Sequence, residues 1–517
     1  MTVTRSAVVI GGGIAGLATA ALLGAEGYSV RLFEARGEVG GRAGSWERDG
    51  FRFDTGPSWY LMPEVFDHFF ELLGTTAAAE LDLVPLDPAY RVYTQTGDPI
   101  DVVSGREEAT ALFESIEPGA GSKLDAYLDS AGDAYDLAVG HFLYDTYETT
   151  AGLRDPIVVK RLPTLLPLLL RPLASYVDRR FQDPRLRQVL GYPAVFLGGS
   201  PYGVPSLYHL MSHLDLDDGV LYPRGGFTTV IAAVERLARA NGVEIETGAD
   251  VAAITTTDAV VTGIRLADGR TIDADLVVST ADLHHTETAL LPPELQTYPE
   301  KWWASRTPSP GALLVMLGVE GELPQLTHHT LLFTKEWRAN FEDIFGKETR
   351  IPDPASLYVC KPSATDADVA PAGHENLFVL VPIPADPGLG RGGVDGTGDP
   401  GIEAAADAVI AQISEWCGIP DLAERIVVRR TVTPANFEED LHAWRGNSLG
   451  LAHTLGQSAV FRPRNASKKV TGLLYAGGST LPGIGLPMCL ISAELVLKRL
   501  RGDRTPGPLP LPRPAKV

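Results

Sequence analysis

Residues 8–44 read VVIGGGIAGLATAALLGAEGYSVRLFEARGEVGGRAG, and this stretch decides the fold. Ala7 to Ile10 is a short apolar run, typical of a buried parallel strand. Gly11, Gly13 and Gly16 follow with the GxGxxG spacing of a dinucleotide-binding loop, and small and apolar residues at helical spacing come next. Because the free N–H groups at the start of such a helix attract an anion, the sequence predicts a pyrophosphate site.

An acidic residue follows at the position that a nucleotide site requires. The second apolar strand, YSVRLFE, ends in Glu34, which lies 18 residues after Gly16 and is followed by Ala35. A carboxylate at this spacing is typical of the group that accepts hydrogen bonds from ribose hydroxyls. Since a carboxylate repels a 2′-phosphate, the sequence disfavours NADP, and we assign Glu34 and Ala35 to the nucleotide site.

Composition and charge exclude several classes of protein. The chain has 517 residues, of which 44% are hydrophobic and 21% charged, with a net charge of −21. This acidic balance argues against nucleic acid as a partner. The three cysteines show no CxxC spacing, so we expect neither a zinc site nor a disulfide framework. No Ser-His-Asp set, HExxH or metal-ligand cluster appears in the sequence, and we predict no metal site.

Two further motifs extend the nucleotide site and carry a family resemblance. Gly-Gly-Arg occupies residues 40–42, and DTGPS occupies residues 54–58. Additional glycine turns with an arginine suit a longer ligand that has a pyrophosphate and a ring system. At these motifs the chain resembles the flavoproteins that include amine oxidases and carotenoid desaturases. The resemblance implies one FAD site that contains Gly41, Arg42, Pro57 and Ser58.

The C-terminal region carries the more specific resemblance. Residues 477–488 read GGSTLPGIGLPM, and we expect a helix from about Leu486. Residues 457–465 read QSAVFRPRN, and with this segment the chain resembles the bacterial carotenoid (phytoene) desaturases. The resemblance implies that the helix start faces the flavin ring and stabilises negative charge there. It adds five residues to the FAD site: Val251 near the adenine, and Gly478, Leu486, Pro487 and Met488 near the ring.

These motifs predict an α/β protein with a discontinuous doubly wound, Rossmann-like FAD-binding domain and a second, substrate-binding domain. Residues 501–517 are proline-rich, and we expect a disordered tail. The predicted FAD-binding domain comprises residues 1–85, 215–290 and 445–500, and the predicted substrate-binding domain comprises 86–214 and 291–444.

Residues 154–187 differ from the rest of the chain in charge. They contain eight basic and three acidic residues around the leucine-rich stretch 162–173. A basic apolar patch suits docking on an anionic membrane, and the alternative is an ordinary buried helical hairpin. No secretory signal and no run of about 18 apolar residues is apparent. We therefore expect a cytoplasmic protein, peripherally associated with the inner face of the cell membrane.

The family resemblance implies a reaction. A hydride passes from a long polyene to flavin N5, a proton leaves the neighbouring carbon, and a conjugated double bond forms, as in the conversion of phytoene to lycopene. Since the sequence has one convincing nucleotide motif, we expect oxygen or a quinone as the electron acceptor. The catalytic base is not identified by sequence, although several side chains are possible: His209, His213, Asp282, His284, His285 and His453.

Other functions remain compatible with the motifs. One is another flavoenzyme on the same scaffold: an amine oxidase, a carotenoid ketolase, a diapophytoene-type desaturase or a polyene saturase. Another is a non-enzymatic FAD-binding carrier of prenyl lipids. The QSA and FRP segments and the leucine-rich stretch favour a desaturase over an amine oxidase. Retention of both halves of the ring site disfavours a carrier.

Overall fold

The computed structural model describes residues 5–95, 97–149 and 152–512. The strands are β1 (Ser6–Ile10), β2 (Ser29–Glu34), β3 (Ser45–Arg48), β4 (Phe51–Asp54), β5 (Leu83–Pro85), β6 (Tyr90–Thr94), β7 (Ile100–Val102), β8 (Leu221–Pro223), β9 (Glu244–Thr247), β10 (Val251–Thr257), β11 (Val260–Leu266), β12 (Thr271–Asp273), β13 (Leu276–Ser279), β14 (Gly311–Glu320), β15 (His329–Phe333), β16 (Leu357–Cys360), β17 (His374–Ile383), β18 (Ile426–Val432) and β19 (Leu473–Tyr475). The helices are α1 (Ile14–Ala25), α2 (Pro63–Leu72), α3 (Ala77–Glu80), α4 (Arg106–Ile116), α5 (Ala120–Ala138), α6 (Pro156–Leu170), α7 (Leu173–Asp178), α8 (Pro184–Gly191), α9 (Met211–His213), α10 (Phe227–Ala240), α11 (Leu283–Thr288), α12 (Glu300–Trp303), α13 (Trp337–Phe345), α14 (Pro400–Cys417), α15 (Pro434–Leu441) and α16 (Leu486–Arg501).

The first sheet has five parallel strands in the order β19-β13-β1-β2-β9. Strand β1 lies in the middle, and its residues Val8 and Val9 are buried on opposite faces. A parallel strand that is covered on both faces needs consecutive apolar residues, and the run before Gly11 supplies them. Helix α1 packs against α10 and α16. The predicted α/β, Rossmann-like fold is confirmed.

The second sheet has seven strands in the order β18-β14-β17-β16-β15-β6-β7, and all its pairs are antiparallel except β15 with β6. Its strand β14, which lies between β18 and β17, is buried on both faces from Gly311 to Val319. Leu313 and its alternate neighbours pack in a cluster with α14, whereas Leu314 and its alternate neighbours pack in a cluster with α13 and β4. Side chains alternate between the two faces of a strand, and both faces of β14 are covered by apolar clusters. The strand therefore needs an apolar residue at every position from Gly311 to Val319.

The two sheets draw on different parts of the chain. The five-stranded sheet takes its strands from residues 6–34, 244–279 and 473–475. The seven-stranded sheet takes them from residues 90–102, 311–383 and 426–432. The expected domain boundaries stay a prediction.

The prediction of a disordered tail over residues 501–517 is wrong for residues 502–512. The Lys498 ammonium donates a hydrogen bond to the carbonyl oxygen of Thr505 at 2.7 Å. Leu509 is 3% exposed and belongs to the apolar cluster that contains α1 and α16. One buried leucine and one lysine thus anchor a proline-rich segment, and composition alone does not reveal such contacts. Residues 513–517 lie outside the described residues.

Candidate active site

The glycines after β1 form a turn against the start of α1. Gly11 has a φ of +98°, and a Cβ on Gly16 would lie 1.9 Å from the Gly11 carbonyl oxygen. Helix α1 can therefore pack on this turn only with glycine at position 16. A Cβ on Gly13 would meet one neighbour, the Gly40 carbonyl oxygen, at 4.0 Å. The space beside Gly13 at the helix N-terminus is thus open to an anionic ligand.

Glu34 is fixed beside this turn by backbone donors. Its Oε2 atom accepts a hydrogen bond from the Gly12 N–H at 2.6 Å, and its Oε1 atom accepts one from the Arg36 N–H at 2.9 Å. The residue is 8% exposed, and both Glu34 and Ala35 line the cavity at the carboxyl end of β2. The remaining lone pairs of an anchored carboxylate suit ribose hydroxyls.

Arg42 has unused hydrogen-bonding capacity in the same cavity. Its buried Nε and Nη2 atoms have no hydrogen-bond partner, and Nη2 lies 3.8 Å from Asp282 Oδ2. A buried guanidinium nitrogen without an acceptor is unfavourable, so an anionic or carbonyl oxygen of a ligand would satisfy it. The open space beside Gly13 and the two Arg42 nitrogens without a hydrogen-bond partner both fit FAD.

The distant half of the predicted site meets the first half in one cavity. Helix α16 begins at Leu486 after Gly485, which has a φ of +114°. The cavity is lined by the predicted residues Gly11, Gly13, Glu34, Ala35, Gly41, Arg42, Pro57, Ser58, Val251, Gly478, Leu486, Pro487 and Met488. Gly16 lies outside it, packed against Gly11. The structure brings the predicted cavity-lining residues together, and their role in binding FAD stays a prediction.

Cys489 also lines this cavity, at the first turn of α16. Burial raises the pKa of its thiol to about 11. A thiol that stays protonated at neutral pH is a poor nucleophile, which disfavours covalent attachment of the flavin.

The segment that carries the desaturase resemblance supports the 477–485 turn before α16, where the flavin ring is predicted to lie. Arg462 is 2% exposed and donates hydrogen bonds to the carbonyl oxygens of Thr480 and Leu451, each at 3.0 Å. Burial lowers the pKa of Arg462 to about 10, so the side chain remains charged at neutral pH. Gln457 accepts from the Thr307 N–H at 2.7 Å and donates to the Thr307 carbonyl oxygen at 2.9 Å. Both side chains act as scaffold.

The possible catalytic bases are divided between the cavity and other regions. Asp282, His285 and His453 line the cavity, whereas His209, His213 and His284 do not. Burial lowers the pKa of His285 to about 4, and the nearby charge of His442 adds to this effect.

His453 is the base candidate nearest the ring-side turn, and its contacts occupy both ring nitrogens. The Ile484 N–H donates to its Nε2 atom at 3.2 Å, and its Nδ1 atom lies 2.6 Å from the Tyr208 hydroxyl. With Nε2 as an acceptor, the neutral ring carries its proton on Nδ1. Burial holds the pKa of His453 well below its usual range. Its contacts position the turn before α16.

Aromatic residues form walls of the cavity that sequence analysis did not find. Trp59 packs with Tyr192 and Phe196 at ring-centroid distances of 6.1 and 5.5 Å, and all three line the cavity. Trp337 and Phe341 on α13 also line it, with their rings 5.2 Å apart. These residues lie far apart in sequence and share no motif. The cavity has a volume of about 910 Å³ and mostly apolar walls.

Helix α6 lines the cavity with one face and exposes another. Val158, Leu162, Leu165 and Leu169 line the cavity at helical spacing. Its exposed large apolar side chains have between 46% and 66% of their surface accessible: Ile157, Val159, Leu162, Leu166 and Leu170. The alternative of an ordinary buried helical hairpin is therefore wrong. No helix among the described residues is long and apolar enough to cross a membrane.

A second apolar segment lies at the same cavity. Leu455 and Phe461 line it and are 42% and 62% exposed. Ser458, between them, accepts a hydrogen bond from the Tyr208 hydroxyl at 3.0 Å. Ser206, in the same short turn as Tyr208, donates to the α6 carbonyl oxygen of Leu168 at 2.9 Å. These contacts link the 455–461 segment to α6.

Comparison with known proteins agrees with this geometry. Residues 14–496 match the family of flavin-containing amine oxidoreductases. The chain is 42% identical to a carotenoid 3,4-desaturase of Haloarcula japonica over 96% of this chain and 98% of that one. It is 36% identical to a zeta-carotene-forming phytoene desaturase of Myxococcus xanthus over 96% and 94% of the two chains.

Solved structures share the fold at low sequence identity. An oxidoreductase from Methanosarcina mazei aligns with a TM-score of 0.64 at 17% identity, over 95% of this chain and all of that one. Putrescine oxidase bound to putrescine aligns with a TM-score of 0.61 at 14% identity, over 97% and 99% of the two chains. The cofactor prediction, FAD, and the prediction of an oxidoreductase are confirmed. The chain belongs to the flavin-containing amine oxidoreductases and, among them, to the carotenoid desaturase family.

Proposed function

We propose that this protein is an FAD-dependent desaturase that introduces conjugated double bonds into a long acyclic carotenoid precursor, in a reaction of the phytoene-to-lycopene type. One observation carries the proposal: a single apolar cavity joins the FAD motifs to the exposed helix α6. Since a hydrocarbon has no polar handle, apolar walls and shape must orient it. The apolar walls also favour a desaturase over an amine oxidase.

The walls supply the conditions that the reaction needs. When bound, FAD accepts a hydride at N5 and so supplies the oxidation. Loss of a hydride leaves positive charge on the polyene, and the faces of Trp59, Tyr192 and Phe196 can stabilise that charge. The surrounding apolar side chains exclude water, which would otherwise attack the charged carbon. A base at the cavity, for which Asp282 and His285 are candidates, then accepts a proton from the adjacent carbon, and the double bond forms.

Expression in a bacterium that accumulates phytoene tests the substrate. We expect red, more strongly conjugated products from the wild type and less of them from the Gly13→Ala variant, in which a methyl group narrows the space beside the helix N-terminus. Unchanged phytoene in cells that contain FAD-loaded protein would refute this assignment.

A second candidate reaction is 3,4-desaturation of a carotenoid that is already conjugated. The specific observation is the higher identity to the 3,4-desaturase, 42% against 36% for the phytoene desaturase. A host that accumulates lycopene separates the two reactions. Conversion of lycopene to products with longer-wavelength absorption, without conversion of phytoene, would favour the 3,4-desaturase.

The proposed substrate is a hydrocarbon that dissolves in the lipid bilayer. We therefore propose that α6 and the 455–461 segment dock on the inner face of the cell membrane. The exposed leucines of α6 would enter the interface, while Lys160 and Arg161 would meet anionic headgroups. For the reduced flavin we propose oxygen or a membrane quinone as the electron acceptor.

Liposome flotation tests the docking surface. We expect Leu166→Glu and Leu170→Glu to reduce binding to anionic vesicles at least tenfold, since each places a charge in the apolar interface. Val427→Glu is the matched control, because Val427 is 52% exposed on β18, outside this surface. Equal binding of all variants would exclude α6 as the contact.

A further inference from the structure

Three potential metal ligands meet outside the cavity. His328 and His329 lie at the start of β15, and Cys360 ends β16. The two strands pair antiparallel with His329 directly opposite Cys360. One ligating atom from each of the three residues lies within 4.8 Å of the other two. The cluster escapes a search for CxxC or HExxH motifs because the strand pairing brings the cysteine to the histidines.

The two imidazoles have a free nitrogen each. His328 is 4% and His329 0% exposed, and neither Nε2 atom has a hydrogen-bond partner. A buried polar atom without a partner costs about 1–3 kcal/mol, so two such atoms on neighbouring histidines are unusual. The rings themselves lie 4.6 Å apart.

The other ring nitrogens are already held. His328 Nδ1 lies 2.7 Å from Thr365 Oγ1, and His329 Nδ1 lies 2.7 Å from the Tyr358 hydroxyl. Metal-binding histidines characteristically use one nitrogen for the ion and fix the ring through the other. Both histidines therefore show the hydrogen-bond pattern of metal ligands, in which one ring nitrogen is hydrogen-bonded and the other has no partner.

The donor set indicates the ion. Two imidazole nitrogens and a thiolate suit a thiophilic ion such as Zn²⁺. Bonds of about 2.0–2.3 Å place tetrahedral ligands about 3.4–3.8 Å apart. The three ligating atoms, all within 4.8 Å of one another, need to approach by at most about 1.0–1.4 Å. Negative charge is also near, since the Asp366 carboxylate accepts from Tyr222, whose ring lies 4.5 Å from that of His328.

We propose that His328, His329 and Cys360 bind one Zn²⁺ ion and that this ion ties β15 to β16. The site adjoins the cavity wall, because Trp59 stacks on His329 at a centroid distance of 4.3 Å. The ion thereby fixes an aromatic wall of the cavity from behind. Its role is structural, and the proposal is independent of the substrate.

Metal analysis of the purified, tag-free, FAD-loaded protein tests the site. We expect about one zinc per chain in the wild type and less than about a tenth of that in Cys360→Ser and His328→Gln. Cys417→Ser is the matched control, because Cys417 is 5% exposed in the separate cluster around α14, and it should keep its zinc. Wild-type protein that carries FAD but takes up no zinc on dialysis against Zn²⁺ would overturn the proposal. Full zinc in Cys360→Ser would also overturn it.

Thiol reactivity keeps the proposal testable if the variants do not fold. Wild-type protein is dialysed against a chelator until metal analysis shows no zinc, and alkylation of each cysteine is followed by peptide mass spectrometry. We expect removal of zinc to accelerate modification of Cys360 at least tenfold and to leave that of Cys417 unchanged. An unchanged ratio of the two rates would contradict a zinc–thiolate bond.

Discussion

Replacing Gly13 by alanine should separate cofactor binding from folding. Gly13 has a φ of −69° and a ψ of 174°, a conformation that alanine adopts without strain. The added Cβ would meet a single neighbour at 4.0 Å. The protein without FAD should therefore be as stable as the wild type, or about 0.4–1 kcal/mol more stable, because alanine reduces the entropy of the unfolded chain.

The same substitution, Gly13→Ala, should weaken the binding of FAD. The methyl group occupies the space through which a pyrophosphate reaches the N–H groups of α1. Loss of one charge-assisted hydrogen bond is worth about 1.5–3 kcal/mol, or about 10- to 150-fold in Kd. Isothermal titration of flavin-free protein with FAD measures this ratio, and urea unfolding of the same sample measures stability.

Gly16→Ala provides the contrast. Its Cβ would lie 1.9 Å from the Gly11 carbonyl oxygen and 2.7 Å from Thr280 Oγ1, so α1 must shift. We expect a loss of about 3 kcal/mol or more in the free energy of unfolding. The reasoning is refuted if Gly13→Ala binds FAD as tightly as the wild type, or if both variants lose stability equally.

Three further changes test the support of the site. In Glu34→Gln, the amide NH₂ group faces the N–H of Gly12 or Arg36, so that two donors meet. Urea unfolding should show a loss of about 1–3 kcal/mol in the free energy of unfolding, and titration should show weaker FAD binding. Arg462→Met leaves buried carbonyl oxygens without a donor and should lower the free energy of unfolding by at least about 3 kcal/mol, whereas Met at the exposed Arg445 should have little effect. Burial raises the pKa of the Asp215 carboxyl from 3.8 to about 7. Between about pH 4 and pH 7, therefore, the carboxyl is protonated in the native state and ionised in the unfolded chain. The stability that this proton contributes is fully present below about pH 4 and is lost as the pH rises through 7. Because asparagine does not ionise, the Tm of Asp215→Asn should fall less than that of the wild type between about pH 5 and pH 8.

Short sequence patterns predict the parts of the structure that depend on local physics. The turn at Gly11 and the helix after it follow from glycine conformations and apolar periodicity within about twenty residues. Glu34 and the start of α16 also follow from short patterns, and the structure places all of them at one cavity. These features need no knowledge of which distant segments meet.

Features formed by distant segments were missed. Tyr192 and Trp337 become cavity walls because α8, α13 and the seven-stranded sheet pack together, and neither residue belongs to a motif. Likewise, Leu509 looks like part of a disordered proline-rich tail until it packs beside α16. Apolar composition predicts that such residues pack somewhere, but the partner is set by tertiary structure.

The segment that most resembles the desaturases does not choose the substrate directly. Gln457 and Arg462 are buried and hold backbone carbonyls and amides behind the ring side of the cavity. A scaffold of this kind serves any reaction that needs the ring held in place. Relatives whose names denote phytoene desaturation and 3,4-desaturation both match along nearly the whole chain, so the shared scaffold cannot distinguish them. We expect the difference between substrates to arise along the apolar walls of the cavity, to which helix α6 and the aromatic pair Trp337 and Phe341 both contribute, because the length and shape of an apolar cavity must orient a hydrocarbon.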